Sequence, residues 1–333
     1  MHLFNRRVLL GSAVAAPVVG ALGVRAPGAT LAAPPASAVG PYLPLERSLG
    51  DLLERIEARR CPPKLASGVP TGFAKFDEMT GGLQPGTLTL VSGRPGMGKT
   101  SFVSNVAAFV AIHHRTPVLI FSAELDGPEL LEHMLAAEAP IAAGRLRRGF
   151  IEDADCADRI NPAIERLKRA PIVIEDTPAP SISEVAARAR RFRADARILG
   201  DSTAGLIVID YLQLLRGPLG RPDQTRQREM EEISRGVAAL AREIHLPILL
   251  TLQLSRKRRD PRPLITEREE LLMASRFADM LLFIHRDPVL RDRAEIIVAK
   301  NRKGPTGTIP ILFRGDFVRF QDHVPDPDGT EGS

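Results

Sequence analysis

The chain has 333 residues, 44% hydrophobic and 26% charged, ordinary values that permit one large α/β domain or two smaller ones around a sizeable core. Its two cysteines, Cys61 and Cys156, make neither a disulfide framework nor a thiolate metal cluster. The formal charge of +5 does not identify a nucleic-acid binder. Arg6, Arg7 and Arg25 lie in a stretch, 1–45, that has no acidic residue, and taking those three from +5 leaves +2 for the body. Any contact with nucleic acid has to come from local basic clusters.

Residues 1–42 contain NRRVLLGSAVAAPVVGALGV, two arginines before an apolar run, with ASA at 36–38 placed like a cleavage triplet. The pattern resembles a twin-arginine export signal. Pro17 and the glycines interrupt the run, so no membrane span is expected. A disordered Ala/Pro-rich leader, or a start placed too far upstream, are the other readings. Next, LPLERSLGDLLERIEARR (43–60) sets Leu45, Leu49, Leu52, Leu53 and Ile56 at helical spacing, and Cys61-Pro62-Pro63 ends the helix. One amphipathic helix (43–63 with its stop) cannot bury its own stripe, so it must dock on its own domain or on a neighbouring subunit.

Across 64–322 strands alternate with helices. TLTLVS (87–92), PVLIFS (117–122), PIVIED (171–176), GLIVID (205–210) and PILLTLQ (247–253) are short apolar runs, separated by helical stretches at 99–113, 127–138, 182–194 and 227–245. This predicts a mostly parallel sheet with helices on both faces. The runs ADMLLFIH (278–285), AEIIVAK (294–300) and GTIPILF (307–313) follow closely on one another and predict an antiparallel extension. The tail 323–333 reads as disordered.

The chemistry is concentrated in SGRPGMGKTS (92–101), which has the spacing G-x-x-x-x-G-K-[ST] between a strand and a helix start. Gly93, Arg94, Pro95, Gly96, Met97, Gly98, Lys99, Thr100 and Ser101 are thus candidates for a triphosphate-binding loop. The N–H groups of Gly96, Met97 and Gly98 can wrap phosphates, Lys99 can reach the β/γ-phosphates, and Thr100 can offer its hydroxyl to Mg²⁺. Asp210, ending GLIVID, is the candidate second Mg²⁺ group, held through water. Glu124, ending LIFSAEL, sits where a carboxylate would polarise the attacking water, and Gln253 where a γ-phosphate sensor would stand. In open α/β sheets, ligands gather at the strands' C-terminal edge.

With those pieces placed, GVPTGFAKFDEMTGGLQPGTLTLVSGRPGMGKTSF, LIVIDYLQLL, EISRGVAALAREIHLPILLTLQLSR and AEIIVAKNRKGPTGTI resemble, in order and spacing, the motor domain of the DnaB-type hexameric replicative helicases of superfamily 4. The likeness covers 43–320. It implies a RecA-like P-loop core, ATP and Mg²⁺ as cofactors, single-stranded DNA as partner and a homo-oligomer, a hexameric ring. The 45–60 helix resembles the family's linker helix, which packs on the next subunit. Lys99 and Thr100 match the Walker A pair, Glu124 the catalytic glutamate, Asp210 the Walker B aspartate and Gln253 the motif-ending glutamine. Lys300 and Arg302, in AKNRKGPTG, match a basic pair inserted into a neighbour's ATP site, where a cation supplied in trans raises the rate by roughly 10³–10⁵.

The departures bear on DNA and on partners. The family's helical N-terminal domain, which docks primase, has no counterpart here, so the resemblance carries no primase contact. LSRKRRDPRP (254–263) keeps Arg256 at the phosphate-contacting position and adds Lys257 and Arg258, but the loop is shorter. In TEREELLMASRFAD (266–279), Glu270 matches the family glutamate, Glu269 replaces an arginine, and Leu271-Leu272 replace Ser-Gly, where a glycine would let backbone approach a strand phosphate. Two functions follow. One is an ATP-driven cytoplasmic helicase moving 5′→3′ on single-stranded DNA; the other is an accessory ATPase docked on a full-length replicative helicase.

Overall fold

The computed structural model describes residues 68–199, 204–217, 226–254, 269–287 and 289–323, together with Leu45, Leu49 and Gly50. The chain forms two units, Met1–Ala58 and Arg59–Ser333. In the first, the three described residues are helical. The rest of the 43–63 helix, the 1–42 leader, Arg256, Lys257, Arg258 and the tail beyond His323 lie outside the described residues.

In the second unit, α1 (Ala74–Thr80) ends on Gly81 in the left-handed region and leads into β1 (Leu88–Gly93) and the long α2 (Lys99–His114). Then come β2 (Val118–Ser122), α3 (Gly127–Glu138), α4 (Ala143–Arg148), α5 (Asn161–Lys168) and β3 (Ile172–Glu175). Asp126 caps α3 through Glu129 N–H, and Pro128 stands at its start, where no donor is needed. After α6 (Ile182–Ala194), opened by a Ser181/Glu184 capping box, come β4 (Leu206–Asp210), α7 (Arg226–Ile244), β5 (Ile248–Gln253) and α8 (Glu269–Phe277). β6 (Met280–Arg286), β7 (Arg293–Asn301), β8 (Gly307–Arg314) and β9 (Arg319–Asp322) complete the described residues.

Their strands form one sheet in the order β3-β2-β4-β5-β1-β6-β7-β8-β9. Alternate residues of each central strand serve opposite faces. Leu88, Leu90, Ile207, Ile209, Ile248, Leu250, Leu281 and Phe283 pack with α6, α7 and α8. Val91, Leu206, Val208, Leu249, Leu282 and Ile284 pack with α1, α2 and α3. Burial on both faces explains why these strands read as unbroken apolar runs. Each fully buried large side chain contributes about 1.5–3 kcal/mol of transfer free energy.

Two expectations are refined. ADMLLFIH joins both parts of the sheet: β6 lies parallel to β1, with Thr89 opposite Met280 and Ser92 opposite Phe283, and its other edge pairs antiparallel with β7 as expected. The antiparallel part runs from β6 through β7 and β8 to a β9 that the sequence did not signal. The 266–279 segment, read as a DNA-gripping loop, is helical from Glu269 to Phe277. There Leu271 is fully buried against the α7 side of the core, whereas Leu272 is exposed. A leucine pair at i and i+1 of a helix cannot share one face, so one anchors and the other faces water.

Candidate active site

β1 ends at Gly93 and α2 starts at Lys99, so the phosphate-loop sequence sits at the C-terminal edge of the sheet. Glycine is required at two of its positions. Gly98 has φ +87°, and a Cβ there would lie 3.0 Å from Phe320 Cζ. At Gly93 a Cβ would come within 2.8 Å of the Ile284 carbonyl oxygen of β6. No side chain caps α2, which leaves its N-terminal donors open to an anion. Lys99 is buried and donates to the Arg94 carbonyl at 3.3 Å. Met97 N–H, expected to face phosphate, donates to the same carbonyl at 3.3 Å. Arg94 and Pro95 form the partly covered outer side of the loop, Gly96 its exposed tip, and Ser101 is buried in the first turn of α2 beside the partly covered Thr100.

Asp210 ends β4 beside the end of β2, where Ser122 pairs with it and Ala123 N–H donates to its carbonyl at 2.8 Å. Its carboxylate is buried. Oδ1 accepts the Thr251 hydroxyl, and Oδ2 has no hydrogen-bond partner among the described residues. A buried acceptor left open costs about 1–3 kcal/mol unless something completes it. A Mg²⁺-bound water would do so, and with the hydroxyl of Thr100 in the first turn of α2 the donor set suits Mg²⁺.

Electrostatics joins the other charges to Asp210. Burial lowers the Lys99 pKa, while Asp210 and Glu124 hold it up. Glu124, two residues beyond β2, is exposed by area, yet desolvation by surrounding protein, then the Asp210 charge, raises its pKa against the opposing effect of Lys99. Desolvation, Glu124 and Asp210 also raise the Tyr211 pKa. Lys99, Glu124 and Asp210, drawn from three strand ends, therefore share one site. Gln253 ends β5, paired with Gly93 at the start of the phosphate loop.

The sequence reading missed three supports. Thr251 orients Asp210, and Gln213 in YLQLL binds the Gln253 backbone. Arg286, at the end of β6, donates to the Gly96 carbonyl at 3.1 Å and lies 4.1 Å over the Phe313 ring, with Phe320 next in the stack. Burial lowers its pKa, with Arg291 adding to the effect. A polar residue ending an apolar run was the available signal for Arg286. Reading β6 only as part of the antiparallel extension hid its proximity to β1.

Lys300 and Arg302 are not part of this cluster. Lys300 pairs with Leu281 near the start of β6, whose next residues run alongside β1 toward the phosphate loop, so both cations sit at the opposite edge of the sheet. Lys300 donates to the carbonyls of Ser275 and Ala278, the latter at 2.7 Å, and Arg302 to that of Arg276 at 2.7 Å. They thus cap the C-terminal end of α8, where cations are favoured. Burial lowers the Lys300 pKa, with Arg302 contributing. Glu270 lies in the first turn of α8.

Residues 68–322 match the family described as DnaB-like helicase C terminal domain. The replicative DNA helicase DnaB of Geobacillus stearothermophilus is 38% identical over 263 residues, covering 76% of this chain and 56% of that protein. The replicative DNA helicase DnaC of Bacillus subtilis (strain 168) is 37% identical, with the same coverage. The chain thus spans a little over half the length of these relatives. Among solved structures, the ATPase domain of G40P superposes with a TM-score of 0.76 at 27% identity, covering 84% of this chain and 99% of that one. A DnaB-like replicative helicase studied with its primase interactions gives 0.74 at 27% identity, covering 84% and 67%. With the RecA-like α/β sheet and the strand-end site described above, the chain belongs to the DnaB-like helicase C-terminal domain family.

Proposed function

We propose that this chain hydrolyses ATP and couples the reaction to movement along single-stranded DNA, as one subunit of a ring that unwinds duplex DNA in replication. The observation that carries the reading is the buried Oδ2 of Asp210, without a partner among the described residues, in one electrostatic cluster with Lys99 and Glu124. Lys99 and the open N-terminus of α2 would hold the β- and γ-phosphates, and Thr100 and Asp210 would hold Mg²⁺, which neutralises charge on the phosphates. Glu124, with its raised pKa, would take a proton from the attacking water. Gln253 would read the γ-phosphate. The Arg286 guanidinium, held over the buried Phe313 ring beside the loop, offers a flat cationic face suited to a nucleobase.

Lys300 and Arg302 lie too far along the sheet to serve their own site, which supports their acting on a neighbouring subunit. A ring requires a contact that brings copies together. The apolar spacing read across 45–60 would supply one such contact. A cavity of about 290 Å³ on the second unit, lined by Leu131, Leu135, Ile164, Leu167 and Lys168, would supply another. The basic residues Arg256, Lys257 and Arg258 would track the DNA backbone, and a replicative role places the protein in the cytoplasm.

Steady-state ATP hydrolysis with and without single-stranded DNA, with Lys99→Ala as the blank, tests the reading. Turnover abolished in Lys99→Ala and raised by DNA in the wild type is the expected result. Turnover that persists in Lys99→Ala overturns the site, and turnover indifferent to DNA overturns the coupling.

A further inference from the structure

β5 outlasts its neighbour. β4 pairs with it only from Ile207–Ile248 to Ile209–Leu250, yet β5 continues to Gln253. Beyond Leu250 no strand among the described residues completes the edge facing β4. Gln213 fills that gap with its side chain: its Nε2 donates to the Gln253 carbonyl at 2.7 Å, and its Oε1 accepts Gln253 N–H at 3.2 Å. A primary amide carries the donor and acceptor of one peptide unit, so Gln213 continues the ladder as a strand would. Arg226 then holds the Gln213 carbonyl at 2.6 Å and pairs with Glu229, whose other oxygen accepts Gly217 N–H at 2.8 Å. On the opposite side, Gln253 pairs with Gly93, and Leu254 N–H donates to the Gly93 carbonyl at 3.0 Å.

We infer that Gln213 is a positioning residue that sets the Gln253 backbone between the phosphate loop and the first turn of α7, so that nucleotide state is transmitted to both. The inference rests on the reading of Gln253 as the γ-phosphate sensor. Any displacement of Gln253 either carries Gln213 and Arg226 with it or breaks two hydrogen bonds.

The test uses the full chain. Gln213→Met keeps the length of the side chain and removes both hydrogen bonds. Gln213→Glu restores donor and acceptor only when protonated, since the ionised carboxylate faces the Gln253 carbonyl. Four readouts are compared: thermal stability, affinity for a fluorescent ADP, ATP hydrolysis with and without oligo-dT, and hydrogen exchange across Ile248–Leu254 with ADP against a non-hydrolysable ATP analogue. Expected for Gln213→Met are ADP affinity within about twofold of wild type, DNA-stimulated kcat lower by about tenfold, and loss of the exchange difference between nucleotides. As pH falls, Gln213→Glu recovers the exchange difference, and recovers kcat when expressed as a ratio to wild type at the same pH.

The inference is overturned if Gln213→Met keeps the wild-type exchange difference and kcat, if wild-type exchange is the same with both nucleotides, or if both variants simply lose stability and ADP binding together at every pH. A wild type indifferent to DNA whose nucleotide-dependent exchange is nevertheless lost in Gln213→Met would sink the DNA reading and leave the role of Gln213 standing.

Discussion

Glu124 can act as a base only when ionised, and its surroundings oppose ionisation. Desolvation acts first and the Asp210 charge second, with Lys99 pulling the other way. Its folded pKa therefore lies above the ordinary glutamate value of about 4.3. The acidic limb of kcat/KM for ATP should rise with pH above that value, and a limb at or below it would remove Glu124 as the base. The same sign bears on stability. Whatever Glu124 contributes is present at low pH and lost as pH rises through its raised pKa. Gly98 makes a second residue-scale prediction. Alanine there must accept φ +87° and meet Phe320, so Gly98→Ala should lower unfolding stability by about 1–2 kcal/mol. It should also weaken ADP binding, and calorimetry with a nucleotide titration reads both. Lys99, Asp210 and the glycines were legible in sequence because their spacing is fixed within a single strand–loop–helix unit. Gln213 and Arg286 were not, because their partners lie 40 and 190 residues away in the chain.

At the scale of elements, the strand runs and the four expected helices appear within a residue or two of their predicted bounds. The apolar period and the stop signals that define them are local properties. The direction of β6 is not local. ADMLLFIH makes the expected antiparallel pair with β7, but its place beside β1 follows from the crossover through α8, whose buried Leu271 and Ala274 pack on the same core face as α7. That placement brings the end of β6 to the phosphate loop and the end of β7, with Lys300 and Arg302, to the other edge. Arg302→Ala should accordingly leave ADP affinity near wild type while lowering ATP turnover by roughly 10³-fold. Normal turnover in this variant would end the trans-acting assignment. The loss of Arg302 also uncaps α8, so thermal stability is measured alongside.

For the whole molecule, the cavity between α3 and α5 is an apolar surface that only a second element can cover. Leu131 is 47% exposed at that cavity. Leu131→Asp should shift the protein toward smaller species by mass photometry with ADP affinity of the monomer retained; unchanged assembly would place the subunit contact elsewhere. The DNA-dependent part of ATP turnover should fall steeply with salt if Arg256, Lys257 and Arg258 neutralise phosphates, and substituting all three should flatten that dependence. The sequence alone determined the phosphate-loop pattern, the alternation of strands and helices, and the family. Each depends on residue types at short spacing, where backbone geometry fixes what they can do. Only the tertiary structure decided which strand ends meet, that β6 runs parallel to β1, that Gln213 completes the edge of β5, and that Lys300 and Arg302 lie at the opposite edge from Lys99 and Asp210. Those outcomes depend on strand order, which is set by burying apolar faces across the whole chain rather than by any one segment.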